Sequence, residues 1–233
     1  MNDYLLFIDT EASGLPRKWD KPYSTEGNWP HAVQVAWIIY SKSGQKIKEE
    51  NHFINNNDFT TTESAFQVHG ISDTFRMENG LPRVTVMNKL AADLAKYNPM
   101  VIGHFMELDF HVASAEFYRS GIANILSVLP KFCTMQATTY LSRSPEVKHL
   151  RLGELYTILF NKALENQHNA LADVNATAAC FFELVKRGDF TEQKIVQQQA
   201  ILAKATAAAS RAGWGLVAIL IGGGVSALIA YLA

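Results

Sequence analysis

The sequence predicts an α/β fold, a mixed sheet with helices on its faces, followed by a C-terminal hydrophobic helix. Three observations carry this. The chain opens with an apolar run and then two strand-like runs joined by a short polar turn, as in an antiparallel meander; short strands and amphipathic helices then alternate; and residues 212–233 hold no charged side chain. With 233 residues, 48% hydrophobic and 18% charged, the chain suits one domain with an appendage, and disorder is excluded as its default. A net charge of -1 argues against wrapping long duplex DNA by counterion release, while leaving room for a local basic patch. Cys133 and Cys180 show neither a disulfide framework nor zinc-ligand spacing, which points to a reducing compartment. The N-terminus lacks the features of a secretory signal, so the domain is expected in the cytoplasm.

Residues 4–11, Tyr-Leu-Leu-Phe-Ile-Asp-Thr-Glu, read as a buried strand ending in two carboxylates. Side chains alternate across a strand, so Asp9 and Glu11 leave one face at one end. A tight turn over 12–16 places them at a strand-to-loop corner. Residues 17–31, rich in Pro, Gly and charge, form a loop long enough to be functional or mobile. Residues 33–40 read as a strand, 41–44 as a turn and 45–53 as the hairpin partner. Helices are expected over 63–68, 72–75 and 84–96, the last with Val86, Leu90, Leu94 and Tyr97 on one face. A short strand at 100–103 precedes a helix at 109–118, and another at 132–134 precedes helices at 136–141 and 152–160. The last helix of the domain, 170–186, carries Leu171, Val174, Ala178, Phe181 and Val185 as its buried stripe.

Two carboxylates as close as Asp9 and Glu11 repel each other. Hard divalent cations, which take carboxylate oxygens and still bind phosphate, offset that repulsion. A solvated acidic turn would look the same in isolation. Asp109, at the mouth of its helix, reads equally as an N-cap. His168 precedes the last helix and Asp173 lies in its first turns, where capping and the helix dipole also favour an acid.

In order and spacing these motifs resemble those of the DnaQ-like 3′–5′ exonucleases of the DEDDh type, the family that includes the proofreading epsilon subunits of bacterial DNA polymerase III and ribonuclease T. The resemblance spans residues 4 to about 187 and rests on Asp9-Thr10-Glu11 with Gly14-Leu15, on His104 through Asp109, on His168-x-Ala170-x-x-Asp173, and on a helix running into His69-Gly70-Ile71. It implies a ribonuclease H-like mixed sheet within a domain at 1–187. It also implies two Mg²⁺ or Mn²⁺ ions held by Asp9, Glu11, Asp109 and Asp173, with His168 as general base. The implied reaction is hydrolysis at the 3′ end of single-stranded nucleic acid, releasing 5′-mononucleotides. Thr10, Leu15 as a wedge and His69 are the implied substrate contacts. DNA, in proofreading or repair, is the expected substrate, with an exoribonuclease or oligonucleotide-degrading enzyme as the alternative. A non-catalytic, membrane-tethered nucleic-acid-binding module is the alternative of another class, and the intact acids and His168 argue against it. The chain departs from the family at Phe105, where Asn is common, and at Cys133, where Asp is common; residues 17–37 also lengthen the usual spacing.

Residues 188–211 read as an exposed helix or helical linker, Gln- and Ala-rich. A helix from Gly213 to the end would span roughly 31 Å, close to the hydrocarbon thickness of a bilayer. Trp214 and Tyr231 near its ends and Lys204 and Arg211 before it suit a membrane anchor at 212–233 that holds the domain on the cytoplasmic face. A hydrophobic helix docked on protein is the other reading. Ala218, Gly222, Ser226 and Ala230 recur every four residues, a stripe that would let the tail self-associate into a homo-oligomer. No polymerase partner can be named from the sequence.

Overall fold

The computed structural model describes residues 2–142 and 148–211, with side chains to residue 203. The membrane anchor and the small-residue stripe expected at 212–233 lie outside the described residues, and among these no helix is long and apolar enough to cross a membrane. Strands β1 (Tyr4–Ala12), β2 (Ala32–Ser41) and β3 (Lys46–Phe53) form the antiparallel meander. β4 (Met100–Gly103) and β5 (Lys131–Cys133) then extend the sheet in parallel, giving the order β3-β2-β1-β4-β5. The mixed sheet expected from the sequence is thus present, with β1 at its centre.

The position of β1 explains its composition. A strand covered on both faces reads as a continuous apolar run, and its alternate residues serve two cores. Leu6 and Ile8 pack with Val86 and Leu90 of α3 (Arg83–Tyr97) and with Val112 and Phe117 of α4 (Met106–Arg119). Leu5 and Phe7 face the opposite layer, with Leu155 of α6 (Leu152–Phe160) and Val174 and Phe181 of α7 (Ala170–Lys186). Two short helices, α1 (Glu63–His69) and α2 (Asp73–Asn79), link β3 to α3. Another, α5 (Thr134–Ala137), follows β5.

Several boundaries differ from the sequence reading for identifiable reasons. The helix expected from 109 begins at Met106, so Asp109 lies inside its first turns and is not its N-cap; Phe105 occupies that position. The helix expected at 136–141 divides into α5 and a 3-10 turn over Thr139–Leu141. On α7 the buried face takes in Ala170, Thr177, Cys180 and Leu184, while Leu171 and Val185 are only half-buried. A helix lying across both β1 and β2 covers a wide face, and a narrow stripe underestimates it.

The segment expected as an exposed linker packs further than its composition indicates. α8 (Glu192–Arg211) follows the domain, and Phe190 and Ile195 are both buried in the core shared with α7. The Gln198 amide accepts from the Cys133 N–H at 3.1 Å and donates to the Cys133 carbonyl at 3.0 Å. β5 is an edge strand, and this pair of bonds closes part of its open edge.

Candidate active site

The carboxyl ends of the parallel strands β1 and β4 lie side by side, with Phe7 opposite Ile102. In open α/β sheets this is where ligands bind. Strand alternation sorts the groups gathered there. Asp9 and Glu11 continue the face of Leu5 and Phe7, toward α7, and α7 brings Asp173 to them. One ligand oxygen from each of Asp9, Glu11 and Asp173 lies within 4.8 Å of the others. Thr10 continues the face of Leu6 and Ile8, toward α4. Its N–H and its hydroxyl both donate to Oδ1 of Asp109, each at 2.9 Å. Asp109 adjoins the trio from the other layer and lines the same cleft, about 130 Å³ in volume.

Asp9 is half-buried, and Glu11, Asp109 and Asp173 are almost fully buried. Burial is the largest cause of raised pKa in all four. Asp9 is pushed well above the usual carboxylate range by burial and then by Asp109, Asp173 and Glu11. Glu11 rises to about 8, through burial and then repulsion from Asp173 and Asp109. Asp109 rises to about 7, restrained by the two Thr10 bonds, and Asp173 to about 6, restrained by the His168 N–H. Protons or cations are what such a cluster lacks. Asp173 gives the most local sign of this: Oδ2 accepts from the His168 N–H at 2.9 Å, while Oδ1 is buried with no hydrogen-bond partner. The all-oxygen donor set fits a hard divalent cation, which Asp9, Glu11 and Asp173 would hold with Asp109 beside them.

His168 has φ 62, a left-handed conformation uncommon outside glycine, just ahead of the Asn169 cap of α7. Its backbone bond to Asp173 holds this conformation, and the residue lines the cleft. Burial and then the Arg151 charge lower its pKa from the ordinary 6.5, so it is neutral at neutral pH. The other expected contacts divide. Thr10 lines the cleft. His69 lines an adjoining cavity of about 450 Å³ that His168 and Gln167 share, and its Nδ1 accepts from the Ile71 N–H at 3.0 Å. Leu15 is 37% exposed and lines neither cavity.

His104 is structural. Its Nε2 donates to the Leu150 carbonyl at 2.9 Å and its Nδ1 lies 3.0 Å from the Thr134 hydroxyl, so it ties β4 to the segment ahead of α6. Burial lowers its pKa to about 4 and keeps it neutral. Phe105 lines the cleft on one side and packs against Trp19 on the other. The sequence reading missed Arg151 and Gln167, which also line the cleft. The available signal was a cationic residue directly before a helix, where Ser, Thr, Asp or Asn is the norm.

No protein-family model matches the sequence, and no curated protein matches it. Solved structures do match. Escherichia coli exonuclease I in complex with a dT13 oligonucleotide superposes with a TM-score of 0.65 at 20% identity, over 79% of this chain and 41% of that one. The zinc-bound form of the E. coli exonuclease I complex with single-stranded DNA gives 0.67 at 18% identity, over 84% and 42%. A further E. coli exonuclease I structure, described as suggesting how processivity is achieved, gives 0.65 at 19% identity, over 84% and 43%. This chain therefore spans less than half the length of these neighbours, and over the aligned part it has their fold.

Proposed function

We propose that this chain is a metal-dependent 3′–5′ exonuclease that hydrolyses the terminal phosphodiester bond of single-stranded DNA and releases nucleoside 5′-monophosphates. The observation that carries this reading is the buried meeting of Asp9, Glu11 and Asp173, with Asp109 adjoining, at the carboxyl end of the central strand. The fold shared with exonuclease I, a protein solved with bound oligonucleotides, supports it. Divalent cations held by these carboxylates would supply Lewis acidity and a nucleophilic water at neutral pH.

The remaining roles belong to the chain itself. His168, neutral at neutral pH, takes the proton of the attacking water. Its backbone N–H keeps Asp173 oriented, and the paired Thr10 donors keep Asp109 oriented. His69, at the adjoining cavity, contacts the terminal nucleotide, and the exposed Leu15 meets the base beyond it.

The test is incubation of the full chain with 3′-labelled and 5′-labelled single strands of DNA and RNA in Mg²⁺ or Mn²⁺. Release of labelled mononucleotide from the 3′ end, faster on DNA than on RNA and abolished by EDTA, is expected. Cleavage from the 5′ end, or internal cleavage, would contradict the assignment. Faster release from RNA would move the substrate to the exoribonuclease alternative.

A further inference from the structure

Resting on that reading of the cleft, we propose that the insertion at residues 17–31 binds the single-stranded DNA upstream of the nucleotide being removed, with Arg17, Lys18 and Lys21 pairing with its phosphates. A polyanion entering a cleft lined by Asp9, Glu11, Asp109 and Asp173 gains no attraction from those acids, and a chain of net charge -1 offers none at long range. The positive charge that holds the strand has to be local. The insertion supplies it beside the site. It follows Leu15 directly in the chain, and its far end is tied back to the turn after β1: the Ser13 N–H donates to the His31 carbonyl at 2.8 Å, and the His31 N–H donates to Ser13 Oγ at 2.9 Å.

The three cations stand on ordered backbone. The Arg17 N–H donates to the Asn28 carbonyl at 3.0 Å, the Asn28 side chain holds the Lys18 N–H at 3.0 Å and the Lys18 carbonyl at 2.8 Å, and Trp29 Nε1 donates to the Lys21 carbonyl at 3.0 Å. Asn28 and Trp29 are themselves buried, and Trp29 stacks on His111 of α4. The charged ends are left uncommitted. Arg17 and Lys18 are exposed and Lys21 is half-buried. Among the described residues none of the three forms an ion pair, with Asp20 and Glu26 of the same insertion or with any other acid, although Arg76, Arg83 and Arg119 are each tied to a carboxylate.

The insertion is also continuous with the cleft. Trp19, between Lys18 and Lys21, packs on Phe105 with 6.2 Å between ring centroids, and Phe105 lines the cleft. A single strand suits such a surface, because its phosphates meet cations and its unpaired bases lie against aromatic rings, both without regard to sequence. Backbone that is already fixed loses little further freedom when the strand binds, so the contacts contribute more of their free energy to affinity.

The test uses the full chain and equilibrium binding of 5′-fluorescent dT2 and dT12 in Ca²⁺, repeated over a series of salt concentrations. Wild type should bind dT12 about 10–100-fold tighter than dT2. The variant combining Arg17→Gln, Lys18→Gln and Lys21→Gln keeps every backbone bond of the insertion and should lose most of that advantage. Its plot of log affinity for dT12 against log salt should be shallower by about 2, at roughly 0.7 for each phosphate contact. A comparison variant with Lys42→Gln, Lys46→Gln and Lys186→Gln removes the same charge at the opposite ends of β1 and α7 and should leave the length preference and the slope unchanged. A wild-type slope in the insertion variant would overturn the proposal. An equal change in the comparison variant would also overturn it, by assigning the effect to overall charge. If wild type binds dT12 through the insertion yet hydrolyses no oligonucleotide in Mn²⁺, the hydrolase reading fails and the binding surface stands. If the insertion variant hydrolyses dT12 and binds it as wild type does, the surface fails and the hydrolase reading stands.

Discussion

At the scale of single residues, the site follows from the period-two geometry of one strand. Asp9 and Glu11 share a face and meet Asp173, while Thr10 between them turns to the other layer and holds Asp109. Thr10→Val removes one of the two donors to Asp109 in a buried setting. It should cost about 1–3 kcal/mol of stability in urea denaturation and lower turnover as Asp109 loses its orientation. A variant as active and stable as wild type would show that the Thr10 hydroxyl is dispensable. His168→Ala should reduce turnover about 10²–10⁴-fold while Mn²⁺ affinity stays near that of wild type, measured side by side. A parallel loss of metal affinity would mean the imidazole supports the cluster and is not the base. Asp9, Glu11, Asp173 and His168 were legible in the sequence because each sits in a short motif whose spacing fixes its direction. The Thr10–Asp109 pairing was not, because it joins positions 99 residues apart. Arg151 was hidden for another reason: one cation on a polar stretch has too many ordinary explanations.

At the scale of elements, the meander, the strand at 100–103 and the helices at 84–96, 152–160 and 170–186 were readable from periodicity, because each buries one face or two against a neighbour. The insertion at 17–31 was not. Its length and its Pro, Gly and charged residues suggest a functional or mobile loop without saying which, and here Asn28 exchanges side-chain bonds with the Lys18 backbone at 3.0 and 2.8 Å, and Trp29 is 3% exposed. Trp29 stacks on His111 of α4 at 4.7 Å, and Arg119 donates to the carbonyls of Trp29 and Pro30. Its order comes from tertiary contacts with α4, to which local composition is blind. Because α4 also carries Asp109, the insertion braces the wall of the site. Trp29→Ala should cost about 3–5 kcal/mol in a denaturation curve, as large core truncations do. A cost below 1 kcal/mol, against this large-truncation scale, would show that the loop is only resting on the helix. α8 teaches the same point at the other edge of the sheet, where Ile195 and Gln198 dock a segment whose composition resembles a linker.

At the scale of the whole molecule, the four raised carboxylates set the pH dependence of stability. Glu11, Asp109 and Asp173 titrate near 8, 7 and 6 in the fold, against about 4 for carboxylates in an unfolded chain. Across that window the folded state binds more protons than the unfolded one, so stability in EDTA should fall as pH rises from about 4 to about 8. Buried histidines act in the opposite sense. His104 and His111 are lowered to about 4 and His31 to about 3, mainly by burial, so the stability they contribute is present above about 6.5 and is lost as pH falls toward 4. On the proposed reading, Mg²⁺ would bind the ionised carboxylates of the folded state alone. It should therefore raise the thermal midpoint most near pH 8 and least near pH 5, at about 2–4 °C for each kcal/mol of linkage. A midpoint at pH 8 indifferent to Mg²⁺ would contradict this.

The measurement that bears most directly on the central claim, that Asp9, Glu11 and Asp173 with Asp109 form a divalent-cation site, is calorimetric titration of Mn²⁺ into the full chain at pH 7, in two buffers of different ionisation heat. Ligation requires deprotonated carboxylates, and this cluster holds protons at that pH, so the account predicts saturable binding with proton release and its loss in Asp9→Asn. Absence of binding by wild type, or binding that Asp9→Asn leaves intact, would contradict it.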